Sequence, residues 1–282
     1  MDIKTLSVPI SEDLKVFSKY FRGAMRSDIT FVDVITRYIL KQKGKQIRPF
    51  LVLHTAKMCG GVNESTYRGA ALVEILHTAT LIHDDVVDDA ETRRGLASIN
   101  AVWKNKIAVL MGDYLLAKGL LLSLDNCDHE FLKIISNSVK KMSEAEILQI
   151  AKSRRLDLDE KTYLKIISGK TASLISTCTE IGAVSANVTD EERNKLREFG
   201  DNLGMAFQIR DDLLDYVGKK SITGKQIGKD MAEKKLTLPL IHALENAPHR
   251  ESMVIIRIVK KGAKKKELDT VLKFTEDYGG IK

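Results

Sequence analysis

The stretch "GAALVEILHTATLIHDDVVDDAETRR" (residues 69–94) joins an apolar segment to a dense cluster of charges. Its first half spaces apolar residues three and four positions apart, which is typical of a buried helix. Its second half crowds carboxylates between Asp84 and Glu91, although the chain as a whole is basic. On a helix, Asp84 and Asp88 project from one face, about 5–6 Å apart. At an effective dielectric constant of about 20 they repel each other by roughly 3 kcal/mol, so the pair needs a cation between its members.

The rest of the chain has the pattern of an all-α protein. It has 282 residues and only four prolines, none of them between Pro49 and Pro239, which favours long helices over many short strands. Apolar residues recur at helical spacing, and no strand alternation, repeat or linker stands out. We therefore predict a single domain over residues 1–282. The predicted helices span residues 11–25, 28–42, 47–60, 64–88, 99–123, 128–151, 160–186, 189–217, 235–246, 250–260 and 264–278.

Composition excludes some classes of protein without selecting a function. Hydrophobic residues at 44% and charged residues at 29% are typical of a globular chain and exclude a disordered one. The net charge of +7 mixes both signs, so it selects no partner among nucleic acids, membranes and phosphorylated substrates. Three cysteines without a CxxC pair indicate reduced thiols. The first residues lack the apolar segment of a signal peptide, and the apolar stretch at 114–124 is short and contains Lys118. We expect a soluble cytoplasmic protein.

A second aspartate cluster lies in "FQIRDDLLDY" (residues 207–216). On a helix, Gln208, Asp211 and Asp215 fall on one stripe, at i, i+3 and i+7. The pattern DDxxD therefore occurs twice, each time at the end of an apolar helix. Oxygen-rich clusters suit hard cations, above all Mg²⁺ when phosphate supplies further ligands. Either cluster alone fits a solvated helix end, but the two together predict helices that hold several Mg²⁺ ions against a diphosphate.

Basic residues around the first cluster predict a second anion pocket that needs no metal. Two of them stand beside a turn at Gly44, one lies two helical turns before Asp84, and two follow the cluster directly. Each alone fits a solvated edge or a core histidine. Together they suit phosphate, because arginine forks match phosphate oxygens. The candidate residues are Lys45, Arg48, His77, Arg93 and Arg94.

The segment "SGKTASLI" (residues 168–175) matches the end of a P-loop, G-x-x-x-x-G-K-[ST]. Leu164 occupies the position of the first glycine, and the flanking residues have a helical pattern instead of strand and loop. We therefore reject the P-loop. Lys170 and Thr171 can still contact phosphate from a helix that bends at Gly169.

These motifs, in this order, resemble the trans-isoprenyl diphosphate synthases, also called polyprenyl synthetases. The resemblance covers the chain from about residue 40 to its end. It is carried by "GKQIRP" (44–49), "EILHTATLIHDDVVD" (74–88), "RRG" (93–95), "GDYLL" (112–116), "GKTASL" (169–174), "FQIRDDLLDY" (207–216) and "GKDMAEKKLTLP" (228–239).

The resemblance implies an all-helical homodimer, a bundle in which the two DDxxD helices face each other across a deep central cavity. About three Mg²⁺ ions would hold an allylic diphosphate there, and isopentenyl diphosphate would bind beside it. Thr171 and Gln208 would also assist the carbocation and the loss of a proton. The implied metal ligands are Asp84, Asp88, Asp211 and Asp215. The implied contacts of the allylic diphosphate are Arg93, Lys170, Gln208 and Lys235, with Lys225 as a further contact. The implied contacts of isopentenyl diphosphate are Lys45, Arg48, His77 and Arg94.

The resemblance also predicts the product length. Short-chain members carry bulky aromatic residues four or five positions before the first motif, where this chain has Thr80 and Ala79. A growing chain would pass these small residues toward Leu76 and Val73. The stretch "ASINAVWKNK" (97–106) is similar to the long-chain bacterial branch. We predict an octaprenyl-like product for a quinone side chain, with a farnesyl or geranylgeranyl product as the alternative.

The sequence departs from the family pattern at several places. The family continues past the position of residue 282 with a helical stretch and a basic tail, so we expect this chain to lack that tail. Lys234 replaces the glycine before Lys235, while Ala97 and Lys104 replace residues that are often proline and glycine. The basic run at 260–267 is expected to be a solvated helix face, with transient contact to an anionic membrane as the alternative.

Other functions fit the motifs less well. Terpene cyclases and head-to-head condensing enzymes also ionise allylic diphosphates, but they do not usually need the metal-free pocket of Lys45, Arg48 and His77. A non-catalytic subunit of a heteromeric synthase would tend to lose the aspartate motifs, and both are intact here. A nucleic-acid partner is not expected, because no binding motif is recognised and aromatic residues are few.

Overall fold

The computed structural model describes residues 3–42, 44–155, 158–217, 231, 235–263 and 265–281. Nearly all of them are helical, which confirms the predicted all-α class. Among them the only strands are β1 (Thr92–Arg93) and β2 (Leu96–Ala97), which pair antiparallel as a short hairpin. The helices are α1 (Ile3–Ser7), α2 (Ser11–Met25), α3 (Thr30–Lys41), α4 (Ile47–Met58), α5 (Glu64–Val87), α6 (Ile99–Leu124), α7 (His129–Arg155), α8 (Glu160–Ile167), α9 (Ser173–Ser185), α10 (Asp190–Val217), α11 (Leu238–Asn246), α12 (His249–Lys261) and α13 (Lys265–Asp277).

Most predicted helices agree with the structure to within a few residues at each end. Three short elements were not predicted from the sequence: α1, the 3₁₀ turn Val8–Ile10 and the hairpin. The predicted helix 160–186 is in fact two helices joined by the π-helical turn Ser168–Ala172. The bend expected at Gly169 is therefore a widened turn, in which the N–H of Ser173 donates to the carbonyl of Ser168.

The chain divides into two compact units. The first unit comprises Met1–Asn137 and Ile175–Gly200, and the second comprises Ser138–Leu174 and Asp201–Lys282. The single domain expected over residues 1–282 stays a prediction.

In the first unit, α5 is the central helix. It is buried almost continuously from Gly69 to His77, and α6 packs along it. Thr66 and Asn63 form a capping box at its N-terminus, in which each side chain bonds the backbone of the other. Helices α4 and α9 also approach closely, because a Cβ atom at Gly182 would lie 2.5 Å from the carbonyl oxygen of Val52. This packing holds the first aspartate motif at the C-terminal end of a rigid helix.

Helix α6 carries apolar residues on its outer face as well. Among the described residues it is the one helix long and apolar enough to cross a membrane, and 33% of its apolar window is buried within the chain. The helix is longer than the segment 114–124 on which the prediction of no membrane span rested. The large apolar residues exposed on α6 are Val102, Val109, Leu110, Leu121 and Leu124.

In the second unit, α8 and α10 to α13 enclose an apolar core. Tyr163, Tyr216, Leu240 and Phe274 are among its buried members. The π-helical turn packs tightly on its neighbours, since a Cβ atom at Gly169 would lie 2.9 Å from the carbonyl oxygen of Lys141. Close packing of this kind fixes the side chains that the turn presents.

Candidate active site

The first aspartate motif sits at the last turn of α5. The helix ends at Val87, and the N–H of Asp88 donates to the carbonyl of Asp84 at 2.8 Å. Asp84 is half-buried and Asp88 is exposed. The two predicted metal ligands are therefore one helical turn apart, as their spacing indicated.

Asp85, the middle aspartate of this motif, has a different role. It is only 3% exposed, and its Oδ1 accepts a hydrogen bond from Nε of Arg93 at 2.8 Å within an ion pair. Asn100 Nδ2 donates to the carbonyl of Asp85 at 3.2 Å, which ties the start of α6 to the end of α5. Asp85 therefore anchors the hairpin that carries Arg93 and Arg94, a role that the sequence did not reveal.

His83, the residue before the first aspartate motif, contacts Gly112 and Asp113 of "GDYLL". The imidazole of His83 lies against Gly112, where any Cβ atom would overlap the ring. His83 Nε2 is also 3.4 Å from Oδ1 of Asp113. Gly112 therefore allows α6 to approach the aspartate end of α5.

A buried cluster of charged and polar groups lies beside α5. Burial, reinforced by the charges of Arg48, Arg94 and Arg93, holds the pKa of His77 well below its usual 6.5. Burial also raises the pKa of Glu74, although Arg48 and Arg94 oppose that rise. Nε of Arg48, Oε2 of Glu74 and Nδ1 of His77 are buried without a hydrogen-bond partner. Neutral His77 and the unsatisfied arginine nitrogen are donors that suit an anion.

A cavity of about 310 Å³ in the first unit adjoins these groups. Arg93 and Arg94 line it together with Arg22, while Glu74 and Asp85 supply acidic groups. Nη1 of Arg94 donates to the carbonyl of Gln42 at 3.0 Å, and its guanidinium lies against Gly44, where a side chain would displace it.

The turn before α4 differs in one detail from its prediction. The left-handed residue is Gln46, with φ 49°, and the helix begins at Ile47, before Pro49. Lys45 is exposed and Arg48 is half-buried. The structure therefore groups Arg48, His77, Arg93 and Arg94 as predicted, and adds Glu74.

The second aspartate motif lies near the C-terminal end of α10. Asp211 is half-buried, whereas Asp212 and Asp215 are buried. The side chain of Gln208 bonds Asp212: its Nε2 donates to Oδ1 at 2.7 Å. Its Oε1 accepts a hydrogen bond from Oγ1 of Thr171 at 2.8 Å. The predicted pair Thr171 and Gln208 is therefore in direct contact.

Lys170 has partners that the sequence did not predict. Its Nζ lies 2.5 Å from Oε2 of Glu146 and donates to Oε1 of Gln149 at 3.0 Å. Both partners belong to α7 and stand in no recognised motif, so only the polar positions on that helix hint at them. Lys235 is half-buried. The predicted contact Lys225 and the unusual Lys234 lie outside the described residues.

The aspartates fit a divalent cation that also binds phosphate. Among the described residues no three or more histidine, cysteine, aspartate or glutamate side chains converge as a complete metal site. Each motif instead offers carboxylates from one helix. Mg²⁺ is commonly held by one or two carboxylates and completed by substrate phosphates and water, so this donor set suits it.

Comparison with known proteins identifies the family. Residues 30–275 match the family model Polyprenyl synthetase. The chain is 37% identical to an all-trans-nonaprenyl-diphosphate synthase (geranyl-diphosphate specific) of Rhodobacter capsulatus, over 97% of this chain and 84% of that protein. It is 32% identical to the octaprenyl diphosphate synthase of Escherichia coli, over 100% of this chain and 87% of that protein. It is 33% identical to a geranylgeranyl diphosphate synthase of Saccharolobus solfataricus, over 95% of this chain and 83% of that protein.

Solved structures support the same family. A decaprenyl diphosphate synthase from Rhodobacter capsulatus superimposes with a TM-score of 0.91 at 36% identity, over 99% of this chain and 86% of that one. A polyprenyl synthase from Caulobacter crescentus, complexed with calcium and isoprenyl diphosphate, gives a TM-score of 0.89 at 33% identity, over 99% of this chain and 86% of that one. The chain has the isoprenoid synthase helical fold. It therefore belongs to the polyprenyl synthetase family, whose members use divalent metal, and is a trans-prenyl diphosphate synthase, a transferase.

Proposed function

We propose that this enzyme adds isopentenyl diphosphate units head to tail to an allylic diphosphate and makes a long-chain, octaprenyl-like polyprenyl diphosphate. The observation that carries the length is the pair Ala79 and Thr80 on α5. Ala79 is buried and small, and the Thr80 hydroxyl donates to the carbonyl of His77 at 2.9 Å. Neither residue supplies the bulk that would stop a growing chain.

The relatives support long and short products alike. Nonaprenyl, octaprenyl and geranylgeranyl synthases all match at comparable identity. A farnesyl or geranylgeranyl product is therefore the second candidate. The small residues at 79 and 80 favour the longer product, and a quinone side chain is its proposed use.

The proposed reaction assigns the charged residues by chemistry. The aspartates Asp84, Asp88, Asp211 and Asp215 would hold Mg²⁺, about three ions, and these ions would stabilise the departing diphosphate. When the diphosphate binds, Nζ of Lys170 leaves its ion pair with Glu146 and contacts a phosphate oxygen instead. In the same way Arg93 and Lys235 supply positive charge to the leaving group, and preorganised charge of this kind is usually the largest catalytic contribution.

The isopentenyl diphosphate is assigned to the cluster beside α5. Arg48, neutral His77 and Arg94 donate hydrogen bonds to its phosphates, together with the exposed Lys45. The buried, unsatisfied Nε of Arg48 supports this assignment, because a buried donor without a partner is costly unless a ligand satisfies it. The double bond then attacks the allylic carbocation, and a proton is lost to give the longer product.

Product analysis tests this function directly. Purified protein with Mg²⁺, labelled isopentenyl diphosphate and a series of allylic primers is expected to give products of about eight isoprene units. Chelation by EDTA is expected to abolish turnover, and added Mg²⁺ to restore it. Products that stop at farnesyl would contradict the long-chain proposal, and turnover in EDTA would contradict the metal assignment.

Two substitutions test the length determinant. Ala79→Tyr and Thr80→Phe place an aromatic ring on α5, so both are expected to shorten the product. Thr80→Ser keeps the hydroxyl and its bond to His77, and serves as the control with unchanged product. If both aromatic variants make wild-type products, Ala79 and Thr80 do not set the length.

The proposed enzyme is a cytoplasmic homodimer. The exposed apolar side chains of α6 support self-association, because large apolar patches on soluble chains commonly mark interfaces. A catalytic chain that needs no second kind of subunit is expected to be active alone. Activity of the purified chain without any partner protein tests that against the alternative of a non-catalytic subunit. Transient contact with a membrane surface during product release stays the alternative to a solvated helix face.

A further inference from the structure

A chain of hydrogen bonds in the second unit links the proposed reaction residues to two side chains outside the predicted site. Oγ1 of Thr171 donates to Oε1 of Gln208 at 2.8 Å. Nε2 of Gln208 donates to Oδ1 of Asp212 at 2.7 Å. The hydroxyl of Tyr163 donates to the other carboxylate oxygen of Asp212 at 2.6 Å. Helices α8 and α10 and the π-helical turn thus meet through four side chains.

The carboxylate fixes the direction of every bond in this chain. Asp212 accepts at both oxygens, so the amide nitrogen of Gln208 must face it. The amide oxygen of Gln208 then faces Thr171, whose hydroxyl must donate. The hydroxyl hydrogen of Thr171 is used in the bond to Gln208, so the oxygen lone pairs of Thr171 can accept from or face another group. A reversed amide would reverse this and direct the hydroxyl hydrogen outward.

The anchor of the chain is rigid and buried. Asp212 is 6% exposed and Tyr163 is 3% exposed, and Tyr163 belongs to the apolar core of the second unit. Helix α8 holds Tyr163 in place, since Asp159 caps its N-terminus through a 2.7 Å bond from the N–H of Thr162. Locked side chains behind a reacting group are what keep its geometry within the tolerance that catalysis needs.

We infer that Asp212 and Tyr163 are positioning residues: they fix the Gln208 amide so that Thr171 presents oxygen lone pairs, and not its hydrogen, to positive charge developing on the allylic substrate. This rests on the proposed prenyl transfer. It gives the middle aspartate of the second motif a task other than metal binding. Asp85 in the first motif is likewise taken by a protein partner, Arg93, so the two middle aspartates share this pattern.

The test compares steady-state kinetics of four variants. Asp212→Asn can donate or accept toward Gln208, so the amide is no longer fixed; kcat is expected to fall about a hundredfold, the scale of a misplaced reacting group. The KM for both diphosphates and the Mg²⁺ concentration for half-maximal rate are expected to stay within about twofold. Tyr163→Phe loses one anchor, and its kcat is expected to fall about tenfold, the scale seen for supporting hydrogen bonds. Tyr216→Phe is the matched control, because it removes a buried hydroxyl that bonds Thr237 at 2.8 Å, outside this chain.

The double variant Gln208→Glu with Asp212→Asn gives the decisive comparison. It exchanges the amide and the carboxylate between the two positions. A carboxylate at position 208 can only accept, so Thr171 must again donate, and an amide at position 212 can donate to that carboxylate while accepting from Tyr163. We expect kcat to recover at least about tenfold over Asp212→Asn alone, an amount well above kinetic error.

Three results would overturn the inference: no recovery in the double variant, a shifted Mg²⁺ requirement in Asp212→Asn, or a Tyr163→Phe rate equal to that of Tyr216→Phe. If Asp212→Asn fails to fold, the inference is tested by comparing the kcat of Tyr163→Phe with that of Tyr216→Phe. An inactive wild-type enzyme would refute the proposed function instead.

Discussion

Lys104 adopts a backbone conformation that suits glycine. Its φ of 71° and ψ of 161° interrupt α6, in a region of backbone space that is nearly restricted to glycine. The family resemblance had marked this position as one that is often glycine, and the structure supplies the physical reason. The exposed lysine side chain gains nothing visible in exchange for this strain.

Lys104→Gly is therefore expected to stabilise the protein by about 1 kcal/mol, the relief of strain less the entropy cost of glycine. Chemical denaturation measures the change. Lys106→Gly is the control, because Lys106 is exposed on the same helix with regular geometry and should lose about 1 kcal/mol. A loss in both variants would mean that Lys104 is not strained.

His77 makes stability depend on pH. Its pKa in the folded protein lies well below 6.5, so below that pH the unfolded chain binds a proton that the folded chain does not. Stability is therefore lost as the pH falls below about 6.5, at up to about 1.4 kcal/mol per pH unit. We expect the free energy of unfolding of wild type to fall relative to His77→Gln between about pH 7.5 and pH 5.5. A constant difference between the two proteins would contradict this.

Residue types and spacing predicted part of the candidate site: the position of Asp84 and Asp88 on one helix face, and the grouping of Arg48 with His77. The pairing of Thr171 with Gln208 came from the family resemblance alone. The other partners of the site residues were not predicted. Glu146 contacts Lys170 and Tyr163 contacts Asp212 across long stretches of sequence, and such contacts follow from packing, which no local pattern encodes.

At the scale of elements, close helix packing depends on glycine where two backbones meet. Gly182→Ala in α9 would place a Cβ atom 2.5 Å from the carbonyl oxygen of Val52 and 2.8 Å from Cβ of Thr55 in α4. Backbone atoms cannot yield easily, so we expect a loss of about 2 kcal/mol in unfolding free energy. Gly23→Ala in α2 is the control: nothing lies within 4 Å, and alanine should add up to about 1 kcal/mol. Equal effects of the two, measured by chemical denaturation, would show that α4 and α9 are not in tight contact.

Long helices were predictable because apolar periodicity persists over many turns. The short elements were not. The hairpin at Thr92–Ala97 has two residues in each strand, which is too few to show an alternation of apolar and polar residues. The π-helical turn keeps helical composition throughout, so its extra residue leaves no signal in hydrophobic spacing.

At the scale of the whole molecule, the proposed homodimer can be tested by changing the exposed apolar face of α6. Leu110→Lys together with Leu121→Lys places charge on the exposed apolar face of α6 and is expected to convert the proposed dimer to monomers in light-scattering measurements. Val254→Lys is the control, an exposed apolar residue on α12 whose change should leave the mass unaltered. A wild-type chain that is monomeric, or a dimeric double variant, would refute the assignment of this face.

The widened turn at Ser168–Ala172 also limits how the gene can vary. Losing a single codon there would restore an ordinary α-helix, and the flanking helices would keep their phase, because five residues of a π-helical turn cover about the same rotation as about four residues of an α-helix. Tyr163 would stay beside Asp212, whereas the lost residue would come from the turn that carries Lys170 and Thr171. An in-frame deletion at this point is thus expected to keep the fold and to change how these two side chains are presented.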